Sequence, residues 1–215
     1  MSSSLKLAIF MAVILLPSVV VHEYVHAWTA SKLGDWSSRR FGRMTLNPKP
    51  HIDRFGTLFL PGLLLVIVAF GGYPPVFAYA KPQPVNAQSF RNPKRGMILY
   101  ALSGPGANLL LAAAFGIGLR VAGGHRGGNL VLFLFAGLIV NVVLCAFNII
   151  PIPGLDGAKL VAPLLSYRAR EVYERMDEYL PLFMLVIFFI LGFTLVFVRT
   201  IGNGLCRVII GHDCL

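Results

Sequence analysis

The chain has 215 residues, of which 56% are hydrophobic and only 13% charged. Soluble domains carry about 25% charged residues, so this composition excludes an ordinary soluble domain and indicates an integral membrane protein. The formal net charge is +10, but the basic residues sit in loops between apolar runs, where they set orientation and meet anionic headgroups; no basic stripe with interleaved aromatics points to nucleic acid.

The first apolar segment covers about 5–33 and contains no ionisable residue from Leu7 to Val21. Lys6 followed by an apolar run resembles a signal peptide, but the run continues to Leu33 with no small-residue cleavage site, so it reads as a retained span. Inside it stand His22-Glu23-Tyr24-Val25-His26, the H-E-x-x-H pattern of zinc peptidases. Positions i and i+4 share one helix face, so both imidazoles can reach one metal ion. Glu23 follows the first imidazole, where a carboxylate can serve as general base toward an attacking water. An ionisable residue within a span is costly and is read as functional unless a packing role explains it.

Residues 34–56 are basic and turn-rich, with Asn47-Pro48-Lys49-Pro50. Short alternation around Arg43-Met44-Thr45-Leu46 predicts a short β element within 37–60, whose exposed edge would pair with an unwound substrate. His51 and Asp53 read as turn stabilisers that hold this loop, not as metal ligands. The second apolar segment, 57–71, is marginal for a span and ends at Gly71-Gly72-Tyr73-Pro74-Pro75. If every segment crosses, Lys and Arg divide almost evenly. If 57–71 is re-entrant or tilted instead, fourteen lie on one face and five on the other. The positive-inside rule makes the first of these faces cytoplasmic.

The third segment spans 96–122 and the fourth 129–150. In this topology the first and fourth helices run parallel and end on the cytoplasmic side, so a ligand just after the fourth arrives at the depth of His22 and His26. Residues 148–157 read Asn-Ile-Ile-Pro-Ile-Pro-Gly-Leu-Asp-Gly. Pro151 and Pro153 end the helix and force extended chain. Asp156 is then either the N-cap of a following helix or a third ligand; catalytic zinc takes three protein ligands and an open position, and H-E-x-x-H supplies only two. The patch from Arg168 to Glu178 suits a surface helix, and 179–201 is a C-terminal span. Cys145 reads as a packed hydrophobe, whereas Cys206 and Cys214 can pair if the tail meets an oxidising compartment.

Taken together, His22-Glu23-x-x-His26 and Asn148-x-x-Pro151-x-Pro153-x-Leu155-Asp156-Gly157 resemble the site-2 protease family of intramembrane zinc metalloproteases. Ser103-Gly104-Pro105-Gly106-Ala107-Asn108 resembles that family's G-P-x-x-N element. The block Leu46-Asn47-Pro48, His51-Ile52-Asp53, Gly56-Thr57 is similar to a compact prokaryotic branch without PDZ or CBS domains. The resemblance covers about 15–165. It implies one zinc ion held by His22, His26 and Asp156, with Glu23 as catalytic base, and cleavage of peptide bonds in or near membrane-spanning substrates. Asn148 is the first candidate for an oxyanion donor and Asn108 the second. The expected architecture is one membrane-embedded domain over 1–215, all-α, with four to six transmembrane helices and a catalytic core of about 5–165. The expected location is a prokaryotic inner membrane with the site toward the cytoplasm, and the expected partners are the lipid bilayer and membrane-protein substrates. A catalytically inactive scaffold is the main alternative; the intact Glu23 argues against it, because a scaffold needs no base.

Overall fold

The computed structural model describes residues 3–59, 62, 63, 66, 70, 83–122, 128–176 and 193–215. Helix α1 runs Ser3–Leu33 and carries Pro17 within its length. A single turn, α2, covers Ser37–Arg40. Helix α3 runs Pro93–Val121, α4 Asn129–Asn148, α5 Asp156–Val161, α6 Tyr167–Arg175 and α7 Phe193–Ile210. Helices α1, α3 and α4 are long and apolar enough to cross a membrane, and no strand occurs among the described residues. This all-α membrane architecture is the one expected. The segment expected to re-enter over 57–71 lies largely outside the described residues, as does 179–192 of the C-terminal span.

The β element expected within 37–60 is not present among the described residues of that stretch. Gly42 adopts φ +66°, a left-handed turn that breaks the alternation. Asn47 Oδ1 accepts from the Lys49 amide, and Lys49–His51 forms a 3-10 turn. His51 donates from Nε2 to the Thr45 carbonyl at 2.9 Å, so the backbone group a partner strand would need is already used. Asp53 Oδ1 accepts from the Gly56 amide at 2.7 Å. His51 and Asp53 therefore act as loop stabilisers, in keeping with their reading from sequence.

Helix ends are set by local chemistry. Gly34, at φ +115°, terminates α1, and the Asp35 amide folds back to the Ala30 carbonyl at 2.9 Å. The buried Asp35 carboxylate then accepts from Ser37 and, through its other oxygen, from the Asn86 amide at 2.7 Å. This ties the end of α1 to the chain entering α3. There Asn92 caps the helix by accepting from the Arg95 amide, and Pro93 occupies the first turn.

The three long helices pack together. One cluster joins Ile14, Leu15 and Val19 of α1 to Ala136, Val140 and Leu144 of α4. Helix α7 lays Cys206 against Ala112 of α3 and Leu138 and Val142 of α4. That apolar face explains why α7 continues to Ile210 instead of stopping near 201. Contacts fix the directions. Ser18 meets Asn141 of α4, and the loop after α4 meets His22 and His26, so α1 and α4 run parallel. Tyr100 and Asn108 of α3 meet His26 and His22 in the reverse order, so α3 is antiparallel to both. Cys206 and Cys214 form a disulfide in the tail, and Cys145 is buried and free.

Candidate metal centre

Both histidines lie on one face of α1, and both are buried, His22 to 6% and His26 to 2% exposure. Pro151 and Pro153 release the chain from α4, and Gly154 turns it at φ +88°. Leu155, not Asp156, holds the N-cap position, with no side-chain cap. Asp156 is therefore spared capping and turns inward. Gly157 permits this path, because a Cβ there would lie 2.2 Å from the Ile149 carbonyl oxygen.

Three atoms converge. Asp156 Oδ2 lies 3.0 Å from His22 Nε2 and 2.9 Å from His26 Nε2, and the two nitrogens are 3.1 Å apart. A tetrahedral zinc site with bonds near 2.0–2.1 Å has ligand–ligand edges of about 3.3 Å. The far side of each ring is fixed. His22 donates from Nδ1 to Asn108 Oδ1 at 2.6 Å, and His26 donates from Nδ1 to the Tyr100 carbonyl at 2.9 Å. Those bonds leave both Nε2 atoms as lone-pair acceptors facing a carboxylate oxygen. Three acceptors this close repel one another unless a cation lies among them. The donor set thus fits a zinc ion, with His22, His26 and Asp156 as the residues that would hold it.

The backbone of α3 passes directly beside this point. A Cβ built on Gly104 would lie 2.2 Å from His26 Nε2 and 2.6 Å from His22 Nε2. Only a residue without a side chain leaves the position between the ligands clear.

Asn108 is held on both sides of its amide. Its Oδ1 receives His22, and its Nδ2 donates to Asn141 Oδ1 at 3.0 Å; Asn141 in turn donates to Ser18 Oγ at 3.1 Å. This buried chain starts on α1, crosses α3 and α4, and returns to α1 about one turn away. It orients the His22 ring and occupies the Asn108 oxygen and one of its two N–H donors. Asn148, at the end of α4, donates to its own helix at the Leu144 carbonyl, 2.9 Å. Glu23 is half-buried, and its carboxylate has no hydrogen-bond partner among the described residues. Its backbone carbonyl accepts from Gln83 Nε2 at 3.2 Å.

Lys159 completes the surroundings by donating from Nζ to Asp156 Oδ1 at 2.9 Å. Burial works to raise the Asp156 carboxyl, and the Lys159 ammonium works to lower it. Burial likewise works against the Lys159 ammonium; Asp156, with help from the Glu23 charge, raises it above the usual lysine value. Sequence reasoning missed Lys159, Asn141 and the role of the Tyr100 carbonyl. The available signals were the i,i+3 spacing of Lys159 from Asp156, and a lone amide inside an apolar helix at Asn141.

Known proteins resemble this chain in sequence. The profile of peptidase family M50 matches residues 124–191. A curated protein of Bacillus subtilis (strain 168), named "Putative zinc metalloprotease YwhC", is 32% identical over 192 residues, covering 86% of this chain and 82% of that protein. The chain belongs to peptidase family M50. Two further relatives of this M50 chain are named "Putative zinc metalloprotease Rip2". The one from Mycolicibacterium smegmatis is 32% identical over 152 residues, and the one from Mycobacterium tuberculosis (strain H37Rv) is 28% identical over 175. The matches cover 70% and 80% of this chain but only 55% and 64% of those longer proteins. No solved structure matches the M50 chain.

Proposed function

We propose that this M50 chain is an intramembrane zinc metalloprotease that hydrolyses peptide bonds in or near the spanning segments of membrane-protein substrates. The observation that carries the reading is the meeting of His22, His26 and Asp156 at about 3 Å from one another, with both imidazoles tied off behind. Zinc, when bound there, supplies Lewis acidity that polarises the scissile carbonyl and makes an attacking water more acidic. Glu23 takes the proton from that water and hands it to the leaving amine. Its carboxylate, unengaged among the described residues, supports this role. Of the two carboxamides, Asn148 is held among the described residues only by a carbonyl of its own helix, and it remains the oxyanion donor of this proposal.

The catalytic unit is one membrane-embedded domain, 1–215, in a prokaryotic inner membrane. The metal centre faces the cytoplasm. With 57–71 not crossing, the fourteen-to-five division of basic residues supports that orientation. Partners are the bilayer and membrane-protein substrates, with no nucleic acid.

The decisive test is Glu23→Gln in purified protein with a membrane-anchored reporter. Cleavage should fall by about 10³-fold or more, while one zinc per chain is retained. Wild-type cleavage by this variant, or wild-type protein that cleaves without zinc, defeats the reading.

A further inference from the structure

Asp156 has two carboxylate oxygens, and only one faces the imidazoles. Oδ2 lies within 3.0 Å of both Nε2 atoms, whereas Oδ1 is taken by the Lys159 ammonium at 2.9 Å. A carboxylate beside a metal ion can bind through one oxygen or chelate through both. Catalytic zinc needs the first mode, because a fourth position must stay open for water or substrate. We propose that Lys159 is a positioning residue of the metal centre: it engages Asp156 Oδ1 so that the carboxylate presents a single oxygen to the metal. The inference rests on the zinc-protease reading above and adds a role that the ligand set alone does not require.

Lys159 is itself held in place. It lies one turn along α5 from Asp156, the i,i+3 spacing that puts both on one face. Its Nζ sits 5.3 Å above the centroid of the Tyr100 ring, within cation–π range. The carbonyl of that same Tyr100 holds His26. One side chain thus touches a ligand directly and packs on the residue that orients a second ligand. The other edge of Lys159 borders a cavity of about 400 Å³, lined also by Val85, Met97 and Ala158. The lysine therefore stands between the metal centre and that cavity.

A purely structural role does not account for the charge. The Lys159 side chain is 29% exposed, and ion pairs, partly exposed or buried, add little net stability relative to apolar groups of similar shape. Leu155, Ala158 and Ala162 are all buried and anchor α5 without help, and Gly157 seats it against the end of α4. An ammonium group close to a dication also opposes metal binding by simple repulsion. A cation kept at this point despite that repulsion is better explained by control of the carboxylate's binding mode.

The test uses Lys159→Met and Lys159→Arg in the full-length protein. Lys159→Met should keep one metal ion per chain, with kcat lowered about 10- to 100-fold and KM little changed. With cobalt in place of zinc, its visible spectrum should shift from the intense bands of four-coordinate cobalt toward the weaker bands of five-coordinate cobalt, as Oδ1 joins Oδ2. Lys159→Arg, which keeps a charged donor, should restore the four-coordinate spectrum. If Lys159→Met gives the wild-type spectrum and kcat, the proposal is overturned. It is equally overturned if that variant simply loses metal and melts at lower temperature, which marks a structural prop. Should Lys159→Met fail to fold, Lys159→Gln is read by the same spectrum, and an unchanged four-coordinate pattern overturns the idea. Failure of the underlying protease reading shows separately, as wild-type protein that holds no zinc or ignores Glu23→Gln.

Discussion

Asp156 and Asp213 each face a cation, at opposite ends of the same helical bundle, and the two pairs have different consequences. Asp213 meets Arg207 through two hydrogen bonds, at 2.5 and 2.9 Å, in open solvent on the tail. Asp156 meets Lys159 and two imidazoles while only 5% exposed. The Asp213 carboxyl lies below its usual range, chiefly through its hydrogen bond from Arg207. A lowered carboxyl stabilises the fold above its unfolded value, and that stabilisation is lost as pH falls through the folded value. Water screens the exposed pair almost completely. At the other end the carboxylate and both imidazoles are shielded from water, and only the Lys159 side chain is partly exposed. Short distances alone therefore do not identify a functional carboxylate; short distances together with burial do.

The contrast is broken most severely at Gly104. Gly104→Ala should abolish zinc binding and cleavage while the helices remain assembled, because the new methyl group competes for the space between His22 and His26. Zinc content by mass spectrometry checks this, and a fully loaded, active Gly104→Ala protein would refute the geometry. Asn108→Leu comes next. It should weaken zinc affinity about 10- to 100-fold by freeing the His22 ring, measured by chelator competition. An oxyanion role would instead lower kcat with affinity intact. The smallest effect belongs to the other end. Asp213→Asn should leave zinc affinity, cleavage and melting temperature at wild-type values, in a thermal scan at neutral pH. A clear loss of metal in that variant would mean the two ends are coupled.

Much of this was legible from residues alone. Long apolar runs gave α1, α3 and α4 to within a few residues, since a chain in lipid must satisfy its backbone internally. The three converging side chains were legible too. His22 and His26 share a face by spacing, and Pro151 and Pro153 mark where the chain leaves α4 and turns back. The β element failed because four alternating residues, Arg43 to Leu46, weigh less than the turn formers Gly42 and Asn47 on either side. Gly104 stood out as part of the G-P-x-x-N-like segment, and what packs on it is the pair of imidazoles. Asn141 and Lys159 were missed for a different reason. Their importance depends on which helix they face and at what depth. Periodicity within one segment gives the face but not the register against another.

The separation of the ligands along the chain carries one more consequence. Asp156 stands 134 residues after His22 and 130 after His26. A nascent chain leaving the ribosome thus inserts both imidazoles long before their carboxylate exists. Until that late segment emerges and folds back, the growing polypeptide cannot assemble the full set of metal-holding groups. The order of synthesis itself delays activity until the bundle has closed.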